Sequence, residues 1–313
     1  MASDVASRGK RRFKLSLTQK EEIAGWLFVT PWVIGLFGLY IGPMIWSAVM
    51  SFTNYDLFSW KWIGLANYQR MIEMDYLVPK ALWVTTKFAL MSVPLHLIFG
   101  FFLALILNQK VRGLGVWRTI FYLPSILSGV AVIILWILIL SPEFGLINSI
   151  LRYVGIEGPN WLGSTTWALP ALVMMGLWGV GGGMLIYLAG LQGIPTELYD
   201  AAQVDGANAF RQFWHITIPM MSPVIFFNLV NGIIGALQTF NVAFIATGGG
   251  PAWSTYFFML HLYTNAFEEL KMGYASALAW VLFTYIMLLT LLVFRFGRAR
   301  VFYEETFKAR KAK

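Results

Sequence analysis

Side chains able to do chemistry are scarce in this chain, and the charged ones that carry most information fall together at Glu197, Asp200, Asp205 and Arg211. They lie in one stretch, 195–219, with Leu198, Ala201, Ala202, Gly206 and, at its end, Pro219. Thr196 is placed to cap a helix, with Glu197 and Asp200 in the first turn, where the helix dipole favours carboxylates. Leu198, Ala201, Ala202 and Asp205 then share one face at spacings of three and four. Gly206 stops the helix in a conformation that glycine tolerates, and a second helix is expected from about Asn208 until Pro219 ends it. The product is a short helix, a sharp turn and a second helix lying on a surface, and nothing in it is catalytic. No other stretch supplies a catalytic set either. His96, His215 and His261 are scattered without metal spacing and read as structural, and the chain has no cysteine, which excludes thiolate metal sites and thiol nucleophiles. No His-Glu-x-x-His, no Gly-x-Ser-x-Gly and no paired intramembrane carboxylates occur, which argues against an intramembrane enzyme.

The elements that must position this loop are set by where charge is missing. The 313 residues are 58% hydrophobic and 12% charged, about half the charged share of a soluble chain. Six windows contain no Asp, Glu, Lys or Arg: 23–55, 88–109, 119–142, 158–196, 212–267 and 272–294. Unbroken apolar runs above twenty residues mark membrane-crossing helices, whereas a membrane β-barrel would alternate in segments of about ten. The expectation is an all-α integral membrane protein of six transmembrane helices, uncleaved at its start. In 158–196 the helix is expected at 167–191, after a polar outer loop. The longest window divides at Gly248-Gly249-Gly250-Pro251 into a fifth helix at 224–246 and an outer or re-entrant segment at 252–267. The sixth helix is expected at 275–294, and Lys87 at a helix mouth.

Basic residues set the orientation. Arg8, Lys10, Arg11, Arg12, Lys14 and Lys20 precede the first helix, and Arg295, Arg298, Arg300, Lys308, Arg310, Lys311 and Lys313 follow the last. Lys110, Arg112, Arg118 and Arg211 add to the same side, against Lys61, Arg70, Lys80, Arg152 and Lys271 on the other. The positive-inside rule places both termini in the cytoplasm, and the net charge of +8 is read as topology and attraction to lipid headgroups, with no nucleic-acid partner. The chain divides into a basic cytoplasmic segment 1–22, a six-helix domain 23–297 carrying the loop 195–219, and a basic tail 298–313.

Asp200-Ala201-Ala202, Gly206 and Ile216-x-Ile218-Pro219 resemble the EAA loop of ATP-binding cassette (ABC) importer permeases, with every spacing kept and Asp and Ile in place of Glu and Leu. The resemblance covers nearly the whole chain and narrows to carbohydrate importers related to the maltose permease. It is carried by Ser51-Phe52-Thr53-Asn54-Tyr55, Arg118-Thr119-Ile120-Phe121-Tyr122-Leu123-Pro124, Gly190-Leu191-Gln192-x-Ile194-Pro195, Thr247-Gly248-Gly249-Gly250-Pro251 and Met272-Gly273-Tyr274-Ala275 in this order. It implies a permease subunit of a bacterial or archaeal cell (inner) membrane. Its implied partners are a second homologous permease, two copies of a cytoplasmic ATPase, an extracytoplasmic solute-binding protein, a carbohydrate and membrane lipid. No phosphate-binding Gly-x-x-x-x-Gly-Lys-Ser/Thr occurs, so ATP and Mg are expected on the partner ATPase and no cofactor on this chain. By resemblance the helix 198–205 docks on that ATPase, with Asp200 as anchor and Gly206 as the turn that aims it.

The resemblance also implies a substrate path along Gly176, Trp178, Gly179, Val180 and Gly183 of the fourth helix and Gly232, Gly235, Gln238 and Thr239 of the fifth. Several polar or aromatic positions of the maltose relative are glycine here, which suits a larger or differently shaped ligand. Two readings of the glycines stand: close helix packing through Gly179 and Gly183, or an opened cavity wall beside Trp178. Asn228, Asn231, Gln238, Thr239 and Asn241 likewise serve either interhelical hydrogen bonds or a hydroxyl-rich solute. The competing functions are an ion-gradient-driven secondary transporter, disfavoured because helices three to six lack ionisable residues in their cores, and an ABC permease for a non-sugar solute.

Overall fold

The computed structural model describes residues 16–109 and 112–297. Most of the basic N-terminal segment, Lys110 and the tail 298–313 lie outside the described residues. The described chain is helical throughout, and its only strand-like feature is the isolated bridge between Thr53 and Trp62. In chain order the helices are α1 (Leu17–Gly35), α2 (Gly42–Met50), α3 (Ala66–Glu73), α4 (Leu77–Leu107), α5 (Leu114–Ile126), α6 (Gly129–Ile139), α7 (Leu146–Tyr153), α8 (Ala168–Leu177) and α9 (Gly181–Gln192). They continue as α10 (Thr196–Val204), α11 (Ala209–Gln212), α12 (Ile218–Leu237), α13 (Asn241–Ala246), α14 (Phe258–Tyr263) and α15 (Met272–Gly297).

Four unbroken stretches are long and apolar enough to cross a membrane: 17–50, 77–107, 209–237 and 272–297. Two helix pairs reach that length and apolarity only when taken together across a bend, α5–α6 by 98° and α8–α9 by 49°, giving six spans if each pair counts as one. The first span begins at Leu17, inside the segment 1–22, because Ser16 and Gln19 form a reciprocal capping box. π turns at Leu36–Ile41 and Phe213–Thr217 lead into Pro43 and Pro219. Proline has no N–H to return to the carbonyl four residues back, and a wider turn ahead of it lets the helix continue.

This corrects several expected boundaries. Pro219 does not end the second helix of the loop; the helix runs on from Ala209 to Leu237. The third span is two helices instead of one, because Pro124 weakens the end of α5 and Leu127 is extended (ψ 151°). The fifth helix ends at Leu237, so Gln238 and Thr239 lie at a break before α13 instead of within a helix. Lys87 is exposed on α4 ten residues after its start, and because the 31-residue helix is longer than the roughly 30 Å hydrocarbon core, the stretch after Lys87 is by itself long enough to cross it. Charge absence locates apolar stretches and is blind to where the backbone bends inside them.

Two clusters hold the helices. At the α10 end, Ala104 and Leu107 of α4 close on Met184, Tyr187, Leu188 and Leu191 of α9 and Met221 of α12. The Arg118 guanidinium donates to the Leu107 carbonyl at 3.2 Å, satisfying one orphan acceptor at the end of α4. At the other end, Phe88, Leu172, Phe257, Phe258, Leu278 and Leu282 form the larger core.

Candidate functional site

The loop at the α10 end is fixed by its own hydrogen bonds. Pro195 occupies the N-cap position with no side-chain cap, so Thr196 is the first helical residue instead of the cap, and Glu197 sits in the first turn. Gly206 has φ of 76°, and both bonds of a Schellman motif are present: Ala207 N–H to Ala202 O at 2.8 Å and Gly206 N–H to Gln203 O at 3.0 Å. Asn208 then caps the next helix by accepting from Arg211 N–H at 2.9 Å. The turn between α10 and α11 is therefore bonded on both sides of the glycine.

One anchor went unread in the sequence. Tyr199 turns inward from α10, and its hydroxyl lies 3.0 Å from the buried Thr217 hydroxyl in the π turn. With Tyr199 facing in, Glu197, Leu198, Asp200, Ala201, Asp205, Gly206 and Arg211 are exposed and Ala202 half-buried. Val204, next on that helix, is 89% exposed. Among the described residues Glu197, Asp200 and Asp205 form no side-chain hydrogen bond or salt bridge. A helix with three unpaired carboxylates and bare aliphatic side chains, held rigidly at its base, presents a ready face to another surface.

The second feature is a central cavity of about 780 Å³ among α4, α5, α6, α8, α12 and the break before α13. It gathers six of the nine expected path residues: Gly176, Gly179, Gly232, Gly235, Gln238 and Thr239. Three are elsewhere. Val180 is turned toward Gly100 of α4, Trp178 sets its ring edge-on to Trp136 at 6.0 Å, and Gly183 faces Asn228. Asn228 and Asn231 donate to carbonyls of their own helix, Val224 O at 3.0 Å and Phe227 O at 2.9 Å, and neither lines the cavity. Gly179 and Gly183 are not a close-packing pair, since a Cβ at either would meet nothing nearer than 3.5 Å. The tight contact at this bend belongs to Gly181, where a Cβ would overlap the Phe121 carbonyl oxygen of α5. The sequence reading missed Ser92, His96 and Ser125 on the wall; His96 carried no metal spacing, and nothing local shows which face of α4 turns inward.

At the end opposite α10, Asp75 precedes α4 and receives hydrogen bonds from the Tyr274 hydroxyl (2.7 Å), Leu77 N–H (3.1 Å) and His261 Nε2 (3.0 Å). Burial pushes the Asp75 carboxyl up, and the Tyr274 hydroxyl, His261 and Leu77 N–H outweigh it, so its pKa lies below the usual value. Burial lowers His261 despite the pull of Asp75. The Arg70 guanidinium lies 4.6 Å from the centre of the Tyr274 ring.

An exposed helix bonded at its base at one end, a mostly apolar cavity with a few amides and hydroxyls midway and a bonded cap at the other end match a known architecture. Residues 96–300 match the family model described as "Binding-protein-dependent transport system inner membrane component". The chain is 43% identical over 291 residues to "Probable ABC transporter permease protein YesP" of Bacillus subtilis, covering 91% of this chain and 94% of that one. It is 33% identical over 290 residues to the "Trehalose/maltose transport system permease protein MalF" of Thermococcus litoralis, covering 91% and 97%. Its fold is that of a chain in a bacterial ABC transporter that imports the polysaccharide alginate, with a TM-score of 0.80 at 23% identity over 90% of this chain and 96% of the other. The chain belongs to the family of binding-protein-dependent transport system inner membrane components, as a multi-pass permease subunit of an ABC importer.

Proposed function

We propose that this subunit forms one half of the path for a carbohydrate (an oligosaccharide, sugar or glycerol-phosphate-type solute) and takes its motion from a cytoplasmic ATPase through α10. The observation that carries the coupling is the unpaired, exposed face Glu197–Asp200–Asp205, held to the membrane helix by Tyr199 and the capped turn at Gly206. The solute class is supported by relatives named as permeases for trehalose and maltose, lactose and sn-glycerol-3-phosphate. The cavity is compatible with it: its wall is mostly apolar, with Phe88, Ile133, Leu172, Met175 and Phe240 as surfaces to pack on, its polar side chains are Ser92, His96, Ser125, Gln238, Thr239 and Asn241, and it holds no Asp, Glu, Lys or Arg.

On this reading both termini are cytoplasmic, in a bacterial or archaeal inner membrane, with the basic segments 1–22 and 298–313 flanking the domain 23–297. The partners are a homologous permease, two ATPase copies holding ATP and Mg, and an extracytoplasmic solute-binding protein; this chain itself holds no cofactor. A push on α10 is transmitted through Tyr199 and Thr217 into the continuous stretch 209–237. That stretch ends at the cavity, where Gln238 and Thr239 lie. Closure of the ATPases would thus move the cavity wall as a nearly rigid body.

The test is co-purification followed by reconstitution in proteoliposomes. A stoichiometric ATPase and second permease are expected with the wild-type chain. Gly206→Val forces a β-branched residue to φ of 76°, which costs about 1–2 kcal/mol locally and re-aims α10. It should leave membrane insertion intact and abolish sugar-stimulated ATP hydrolysis. Unchanged stimulation in Gly206→Val would refute the coupling role.

A further inference from the structure

Among the side chains lining the cavity His96 alone is ionisable, and its ring is oriented by a bond to the backbone of its own helix. Its Nδ1 lies 2.8 Å from the Ser92 carbonyl oxygen, one turn earlier on α4. A carbonyl only accepts, so Nδ1 carries the hydrogen, and Nε2 of the neutral ring is left as a bare acceptor. Nε2 has no hydrogen-bond partner among the described residues. Across from it stands Gly176: a Cβ there would come within 3.2 Å of Cε1 and 3.4 Å of Nε2. Glycine at 176 therefore leaves the Cε1–Nε2 edge room at the wall.

The surrounding polar groups are complementary in kind. The Ser125 hydroxyl donates to Tyr122 O at 2.7 Å and the Thr239 hydroxyl to Gly235 O at 3.2 Å, so both present lone pairs to the cavity. The Gln238 and Asn241 amides are exposed and have no hydrogen-bond partner among the described residues. The Nδ1 bond alone holds the ring, and Nε2 makes no hydrogen bond among the described residues.

We infer that His96 is a specificity-determining residue, whose Nε2 accepts a hydrogen bond from one hydroxyl of a neutral sugar as it crosses the cavity. The inference rests on the carbohydrate reading above and deepens it. A fixed acceptor discriminates between a hydroxyl and its absence, because a missing donor leaves the acceptor unpaired in a confined site.

The test uses the complete importer in proteoliposomes with saturating sugar-loaded binding protein. Maltose, trehalose, lactose and raffinose are tried first, and mono-deoxy analogues of whichever sugar is transported follow. Wild type should move one deoxy analogue about tenfold more slowly than its parent, the order set by one hydrogen bond. His96→Leu should bring that ratio near one. His96→Gln, whose Oε1 reaches close to the position of Nε2, should restore it and also shows that the site tolerates substitution. If His96→Leu leaves the ratio as in wild type, or slows the parent and all analogues by one common factor, the specificity role is overturned. If none of the four sugars crosses with the wild-type importer while sn-glycerol-3-phosphate does, the neutral-sugar role of His96 is overturned and the broader carbohydrate reading stands; if none of the five crosses, both fall.

Discussion

His261 Nε2 and Asp75 Oδ2 stand 3.0 Å apart, tying a residue of α14 to the start of α4 across 186 positions of sequence. The pair is a hydrogen bond from a neutral imidazole, because burial disfavours the charged ring more than Asp75 favours it. Nε2 then carries the hydrogen, and Nδ1 accepts from the Tyr256 hydroxyl at 3.2 Å. Asn265 closes the cluster by donating to the His261 carbonyl at 2.9 Å.

The first prediction concerns pH. His261 is depressed below its ordinary 6.5, so its contribution is complete above that value and fades as pH falls from there through the lower folded value. Asp75 is depressed below 3.8, and its contribution is lost only in stronger acid. Protection of the amides at 256–265, measured relative to their intrinsic base-catalysed exchange rates, should therefore fall as pH drops below 6.5, ahead of the rest of the chain. His261→Gln should remove this dependence at a cost of about 1–3 kcal/mol, because the buried cluster loses charge-assisted bonding. Protection that falls equally across all helices would count against it.

A second prediction tests the base of α10. Tyr199→Phe removes the only hydrogen-bond partner, among the described residues, of the buried Thr217 hydroxyl, a loss of about 1 kcal/mol. The complex should still assemble, while sugar-stimulated ATPase falls several-fold because α10 no longer transmits displacement to 209–237. Thr217→Val should do the same, and the double variant should be no worse than either single one. Additive losses would show that the two residues act separately.

The loop was legible because its information is local: Glu197 in the first turn, a glycine stop at 206 and a second helix beginning near Asn208 depend on residues within a few positions of one another, though the cap expected at Thr196 falls instead to Pro195 and Asp200 lies beyond the first turn. Tyr199 was not, since its partner Thr217 follows a turn and a second helix whose geometry no spacing rule supplies. Helix positions were legible from missing charge, and the breaks at Leu127 and Gln238 were not, because a bent helix and a straight one share one composition. The wall of the cavity was half legible. Glycines on the α8–α9 and α12 stretches marked two of its sides, whereas His96 joins them only through the packing of α4 on α8.

The last prediction separates two glycines two positions apart at the 49° bend between α8 and α9. A Cβ at Gly179 would lie 3.5 Å from the Gly176 carbonyl, ordinary contact distance, while a Cβ at Gly181 would overlap the Phe121 backbone carbonyl. A side-chain neighbour yields by rotating; a carbonyl in the middle of α5 yields only if the helix moves. Gly181→Ala should therefore force α5 and α9 apart at about 1–3 kcal/mol, the scale of overpacking. Gly179→Ala should be close to neutral, because the lost chain entropy of the unfolded state offsets one added methyl on the cavity wall. Thermal unfolding of the detergent-solubilised complex measures both, with a clear drop in midpoint expected for Gly181→Ala alone. Equal drops would mean that the bend depends on glycine flexibility at both positions, and that the close approach of α5 to α9 is not what holds it.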